Sequence, residues 1–321
     1  ISYTVDVYRG LIKPEKDFFL YACYVTFFPQ LVAGPVLRAV EVINQFEKRP
    51  PFSWIDVAIG LRRILYGLFL KVVLADNIAP LVDTGFAMPV DTMSALDVWT
   101  LAFLFGFQIY FDFSAYSHIA LGSARLMGIQ FPENFNFPYL ATSPKDYWRR
   151  WHISLSSWIR DYLYLPLAGI KVHDRSVGGL ANATLDKKKY KALFTTWAIM
   201  GLWHGANWTF VLWGIYHFVG IFLYRLILPT TRKLNQNFRL IGGIMLTLPL
   251  MMLAWIPFRA ETLKITFGMW SKVVTPFAYT SLGMRENTYL VTAFILVGIL
   301  VTYWIKTKLI PLITQKNNNS L

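Results

Sequence analysis

The sequence predicts an all-α, polytopic membrane protein, and three observations carry that reading. Charged residues make up only 15% of the chain while 55% are hydrophobic, and the mean hydropathy is +0.42; a soluble domain averages about 25% charged. Uncharged runs recur at or near spanning length: Val98–Phe111, Ala192–Tyr224, Leu240–Phe258 and Thr288–Ile305. A spanning helix needs roughly 20 mostly apolar residues, so these runs argue against a soluble protein with a buried core. The basic residues gather in the segments between the runs, as they do in cytoplasmic loops. That placement explains the net charge of +13 by a lipid bilayer, so no nucleic acid is expected as a partner.

The elements follow in order. The chain opens at Ile1 without a methionine, so a further N-terminal part is expected ahead of it. The single cysteine, Cys23, lies among Tyr21, Tyr24, Phe27 and Phe28; it reads as a packed thiol, and one cysteine excludes an internal disulfide framework or a Cys-based zinc cluster. Arg38, Lys48 and Arg49 mark a cytoplasmic loop. The next segment, Val57–Leu74, contains Arg62, Arg63 and Lys71 and reads as an amphipathic or protein-buried span. Between Lys71 and Arg125 there is no Lys or Arg, while Asp76, Asp83, Asp91 and Asp97 fall there; that loop is expected outside. Val98–Ala124 returns inward.

Residues 125–191 carry Lys145, Arg149, Arg150, Arg160, Lys171, Arg175 and Lys187–Lys189, and are expected on the cytoplasmic side. Ala192–Tyr224 is then basic on both flanks, with Arg225, Arg232, Lys233 and Arg239 following it. As one helix this run would reach about 50 Å, against a hydrocarbon core of about 30 Å. A hairpin or re-entrant element broken near residues 201–207 is therefore expected. Broken backbone at that depth needs protein or a water-filled cavity around it, which sets His204 at a bend beside a cavity. Leu240–Phe258 would cross outward and Thr288–Ile305 inward, leaving Lys306, Lys308, Lys316 and the C-terminus cytoplasmic. The polar tail Gln315–Leu321 is expected to fray. No repeat, linker or second domain is visible, so residues 1–321 read as one integral membrane domain.

Candidate chemistry centres on histidine. His204, in GLWHGANW (201–208), lies inside a run without Asp, Glu, Lys or Arg. A histidine there needs either a partner or a reaction, and a neutral imidazole is a suitable general base. In YWRRWHISLSSWIRDYLY (147–164), helical spacing puts Trp148, Trp151, Leu155, Trp158 and Tyr162 on one face and Arg149, His152, Ser156 and Arg160 on another. Two readings stay open: an interfacial helix, or a helix whose His152 and arginines face a cavity that takes an anionic donor. Asp112, in the inner part of the Val98–Ala124 span, is costly at that depth; a helix-packing bond with Ser114 or Tyr116 is weighed against a role at the site. His118 falls on a different helical face from Asp112. His217 reads as a satisfied core histidine, and His173, in a charged loop, carries little information. There is no HExxH, GxGxxG, Walker or GxSxG pattern, so no metal site is expected.

These motifs carry a resemblance. GLWHGANW at 201–208, WRRWHISLSSWIRDYLYLPL at 148–167 and YFDFSAYS…PENFNFPY at 110–139 resemble the membrane-bound O-acyltransferase (MBOAT) superfamily, and most of all its bacterial branch of alginate and peptidoglycan O-acetyltransferases. The resemblance runs from Ile1 to about Phe258. It implies a fold of spanning, re-entrant and interfacial helices around a central cavity, set in a bacterial plasma membrane. It further implies acyl transfer at His204, with His152 as the second characteristic position, and an acetyl-CoA or carrier-protein thioester as co-substrate with no bound cofactor. The acceptor implied is an extracytoplasmic polysaccharide, alginate-type first, reached through a periplasmic acetyltransferase partner. Trp203, Asn207, Arg149, Arg150, Ser156 and Asp112 are the candidate substrate or donor contacts. After YLPL this sequence has Ala168-Gly169-Ile170-Lys171 where relatives carry a Gly-Gly-Asn-Arg-like stretch, so the loop that follows supports no assignment of contacts. Rival readings are a transporter or flippase, whose inverted repeats are not found, and D-alanyl transfer to teichoic acid.

Overall fold

A computed structural model describes residues 1–32, 34–48, 51–170, 187–231 and 235–305. His173, Arg232, Lys233 and the C-terminal lysines, and the expectations placed on them, lie outside the described residues. Everything described is helix, turn or loop. Three short helices open the chain, α1 (Ser2–Tyr8), α2 (Phe18–Thr26) and α3 (Ala39–Lys48). A long rod follows, made of α4 (Trp54–Leu68), a π-helical stretch Phe69–Ala75 and α5 (Asp76–Phe86). Against it lies α6 (Ala95–Leu126), whose Ser94 and Asp97 form a capping box at its start.

The charged residues of the α4 rod are explained by its partner. Rod and α6 run antiparallel, and the pairs read off in register: Asp56 with Arg125 at 2.6 Å, Arg63 with His118 at 3.3 Å, and Lys71 with Asp112 at 2.7 Å. Between these rungs the backbones close in on small residues. A Cβ on Gly60 would stand 2.9 Å from the Gly122 carbonyl oxygen, and one on Gly122 only 2.6 Å from that of Gly60, the small-residue contact of helices packed in a membrane. So Val57–Leu74 packs one face on α6 through small residues and polar pairs while Leu61, Leu65, Leu68 and Val72 stay exposed on its other face, an amphipathic span rather than a buried one. Asp112 bonds Lys71 rather than the Ser114 or Tyr116 neighbours considered from sequence.

Beyond α6 come α7 (Pro144–Tyr147), α8 (Ile153–Ile159), a π-helical turn Arg160–Tyr164 and α9 (Leu165–Leu167). The continuous amphipathic helix expected over 147–164 is absent, because the chain turns at residues 148–152. Tertiary bonds compete for that backbone: Arg150 O accepts from Asn136 N and Ile153 N donates to Asn134 O, both at 2.9 Å. Trp148 and Trp151 sink into the core at 9% and 4% exposure instead of marking an interface.

The uncharged run becomes two helices, α10 (Lys187–His204) and α11 (Trp208–Thr231), with the bend at residues 205–207. They pack antiparallel, with Tyr190 against Phe222, Phe194 against Phe218 and Trp197 against Trp213 and His217. Gly201 and Gly214 face the Phe210 and Trp197 carbonyls so closely that neither admits a Cβ. Next come α12 (Gln236–Arg259), α13 (Leu263–Val274) and α14 (Glu286–Trp304). Pro257 has no N–H to give the Leu253 carbonyl, and Trp270 of α13 supplies the missing donor at 3.3 Å. That bond seats α13, a helix not expected from sequence, on the end of α12. Helices α6, α11 and α12 are long and apolar enough to cross a membrane; α14 is apolar but shorter. The core fills the space among α6, α10, α11, α12 and the 134–168 segment, and indoles dominate it: Trp148, Trp151, Trp197, Trp213 and Trp255 are each under 10% exposed.

Candidate active site

His204 is the last residue of α10, placed by the bend. Asn207 staples that bend: its Oδ1 accepts from Thr209 N and its Nδ2 donates to the Glu261 carbonyl, both at 3.1 Å. Asn207 thus caps α11 and ties the bend to the loop after α12, a structural task its position in GLWHGANW did not disclose. The imidazole of His204 lies edge-on to Trp213 and to Phe258, each at 4.9 Å between centroids, with Trp203 at 5.0 Å. Neither ring nitrogen has a hydrogen-bond partner among the described residues. Trp203 itself is 62% exposed, so one flank of His204 is open and the other is a wall of rings.

His152 is built differently. Its backbone is left-handed at φ 41°, which costs an L-residue about 1–2 kcal/mol. The cost is met by Asn134, 1% exposed, whose side-chain Oδ1 lies 3.0 Å from His152 Nδ1 and accepts from Ser154 Oγ at 2.8 Å. Each such bond contributes about 1 kcal/mol net, enough to hold the turn. Asn134 Nδ2 in turn donates to Ser117 Oγ of α6 at 3.1 Å, fixing the amide so that Oδ1 is the acceptor. With Nδ1–H donating to Oδ1, the lone pair of His152 sits on Nε2. Asn134 lay in the quoted PENFNFPY stretch but not among the expected site residues, since one Asn in a Pro- and Asn-rich loop has no local signal of burial.

From His152 to His204 the rings are continuous. The His152 ring meets Phe113 at 4.7 Å, and Phe113 meets Phe135 and Phe135 meets Trp151, each at 5.1 Å. Trp151 meets Trp255 at 5.0 Å, Trp255 meets Phe258 at 5.3 Å, and Phe258 meets His204.

A cavity of about 280 Å³ opens on the other side of the indole wall. Lys145, Arg149, Arg160 and Arg225 line it together with Trp148 and Trp197. Arg160 is bound to Asp161 at 2.6 Å and Arg225 lies over the Tyr190 ring at 5.9 Å. Burial works to raise the Asp161 pKa, but hydrogen bonds and charge from Arg160 and Arg38 prevail and hold it below the ordinary carboxylate value. No carboxylate pairs with Arg149 among the described residues. Anions are therefore the ligands this cavity favours.

The expected site residues divide accordingly. Arg149 and Ser156 line the cavity; His152 and His204 do not. Arg150 is a clamp, bonded to Asp146 at 3.0 Å and to the Asn136 carbonyl at 3.3 Å. Asp112 of α6 is held by Lys71 on the α4 rod. His217, expected as a satisfied core histidine, is buried among Trp148, Trp197 and Trp213, yet its Nδ1 has no partner among the described residues.

Comparison with known proteins agrees with the motifs. Over 304 residues the chain is 36% identical to a probable alginate O-acetylase of Azotobacter vinelandii, covering 94% of this chain and 57% of that protein. It is 37% identical over 262 residues to a peptidoglycan O-acetyltransferase of Helicobacter pylori, covering 79% and 47%. A teichoic acid D-alanyltransferase of Bacillus subtilis is 28% identical over 224 residues, covering 68% and 54%. The chain spans about half the length of the curated relatives it matches. Residues 15–258 match the sequence profile of MBOAT, the membrane-bound O-acyltransferase family, and the chain belongs to that family.

Proposed function

We propose that the chain is the acyl-transfer core of a membrane O-acetyltransferase. The acetyl group comes from a cytoplasmic thioester, acetyl-CoA or an acylated carrier protein, and moves towards an extracytoplasmic polysaccharide of alginate type through a periplasmic partner. The observation that carries this reading is the placement of His204: a ring free to exchange a proton, at a helix break, with an open flank on one side and an anion-favouring cavity behind the indole wall on the other. D-alanyl transfer has less support, since the matching D-alanyltransferase is the more distant relative.

In this reaction the acceptor hydroxyl gives its proton to the imidazole of His204 while its oxygen attacks the thioester carbonyl carbon. The tetrahedral adduct collapses, the C–S bond breaks, and the thiolate recovers the proton from His204, so the ester forms and the thiol leaves with no other reactant. His152, its Nδ1–H fixed on Asn134, keeps a lone pair on Nε2 and orients the acceptor by accepting from a neighbouring hydroxyl, not from the one that His204 deprotonates. Arg149 and Arg225 hold the phosphates of the donor. Loss of a general base of this kind costs about 10²–10⁴-fold in rate. His204→Ala in membranes with normal protein levels is expected to remove O-acetyl groups from the surface polysaccharide, read by mass spectrometry of the glycan. Unchanged acetylation would reject the assignment.

A further inference from the structure

Four rings separate the basic cavity from His204. Trp148 and Trp197 line the cavity; behind them lie Trp213 and His217, and Trp213 touches His204. The partition is not a purely apolar one. His217, 3% exposed, leaves Nδ1 without a hydrogen-bond partner among the described residues, and so do Trp148 and Trp213 at their indole nitrogens and Tyr164, another cavity residue, at its hydroxyl. A buried polar atom without a partner costs about 1–3 kcal/mol, and few native sites carry several together. Packing does not explain the histidine, because a phenyl ring would stack on Trp197 and meet Trp148 edge-on without leaving a nitrogen unpaired.

Resting on the donor reading of the cavity, we propose that His217 is a donor-binding residue. Its Nδ1–H donates to an amide carbonyl of the thioester arm where the arm passes from the cavity through the Trp148–Trp197–Trp213 partition towards His204. Both donor types carry the same phosphopantetheine arm, with a phosphate at one end, two amides along its length and the thioester at the other. The arginines match the phosphate, and the unpaired nitrogens of the partition match the amides, which cannot enter a dry passage without partners. His217 thereby reads the arm and not the acyl group.

The test uses the full-length protein in detergent, with radiolabelled acetyl-CoA and acetylated acyl carrier protein as probes, and compares His217→Phe with His217→Gln. The phenyl variant keeps the ring stack and removes the nitrogens; the amide variant restores a donor. For whichever probe the wild type binds, His217→Phe is expected to weaken binding roughly ten- to a hundred-fold, the range of one lost hydrogen bond in a dry site, with a melting temperature that is unchanged or raised. His217→Gln is expected to recover much of it. Equal binding by His217→Phe and wild type overturns the inference alone, whereas a wild type that binds neither probe overturns the donor reading of the cavity with it. Equal weakening in both variants with an equally lowered melting temperature makes His217 a packing residue and also overturns it. Should His217→Phe not accumulate, Trp148→Phe removes the neighbouring indole N–H, and unchanged donor binding there counts against the proposal.

Discussion

At the scale of residues, the candidate site is two histidines held in contrasting ways. His204 is placed by where a helix stops and touches only rings, so its ring nitrogens are free to take and return a proton. His152 is held by a polar network that begins at Ser117 on α6 and passes through Asn134 to the left-handed turn. Asn134→Ala strips the acceptor from His152 Nδ1 and from Ser154 Oγ at once. Each buried group left unpaired costs about 1–3 kcal/mol, so a fall in melting temperature is expected together with a loss of acetyl transfer. If Asn134 acts through His152, the double variant Asn134→Ala/His152→Ala is no slower than His152→Ala alone; additive losses in rate would refute the link. The histidines themselves were legible in the sequence because an imidazole in a chargeless run, or beside two arginines, is conspicuous. Asn134 and His217 were not, because what distinguishes them is a partner gained or missing across the fold.

The helical elements show where periodicity is a sufficient guide. The hairpin of α10 and α11 was legible, since a run too long for one crossing and basic at both ends has few other solutions, and the bend falls where Gly201–Asn207 predicted it. The helix over 147–164 was misread for the opposite reason: its apolar spacing is produced by aromatics that pack in different directions, and tertiary bonds at Asn134 and Asn136 override the period. Helix α13 escaped notice since its anchor, Trp270, answers a carbonyl freed by a proline on another helix. The hairpin's own energetics are testable at its closest approach. Gly214 lies against the Trp197 carbonyl, while a Cβ at Gly220, two turns on, would meet only a Leu250 methyl at 3.6 Å. Gly214→Ala must push the helices apart, and overpacking costs about 1–3 kcal/mol; Gly220→Ala gains up to about 1 kcal/mol of helix propensity. Thermal unfolding in detergent should therefore separate the two variants in opposite directions. Matching midpoints would mean that α10 and α11 do not pack this closely.

For the whole molecule the decisive quantity is the distribution of charge between its two ends. Lys145, Arg149, Lys187, Arg225 and Arg239 gather at one end, where α10 and α12 begin and α11 approaches its close. At the other end the bend of the hairpin meets Glu261 through Asn207, Arg259 pairs with Asp83 at 2.7 Å, and Asp97 accepts from Gly283 N at 3.0 Å. These pairs join the start of α6, the end of α12 and the approach to α14 on a single surface. The hairpin therefore runs as deep as α12, and His204, three residues from Asn207, sits nearer this surface than the basic one. With basic residues held inside, we propose that the cavity opens to the cytoplasm and that the flank of His204 beside Trp203 faces the outside, the polarity that a cytoplasmic donor and an external acceptor require. Single cysteines in a Cys23→Ser background test this directly. In intact cells an impermeant thiol reagent is expected to label Glu261→Cys and Thr280→Cys, and to reach Lys187→Cys and Arg239→Cys only after the membrane is opened. Labelling of Lys187→Cys and Glu261→Cys from the same side would place both ends of α10 on one face, and the transfer route from cavity to His204 could not then cross the membrane.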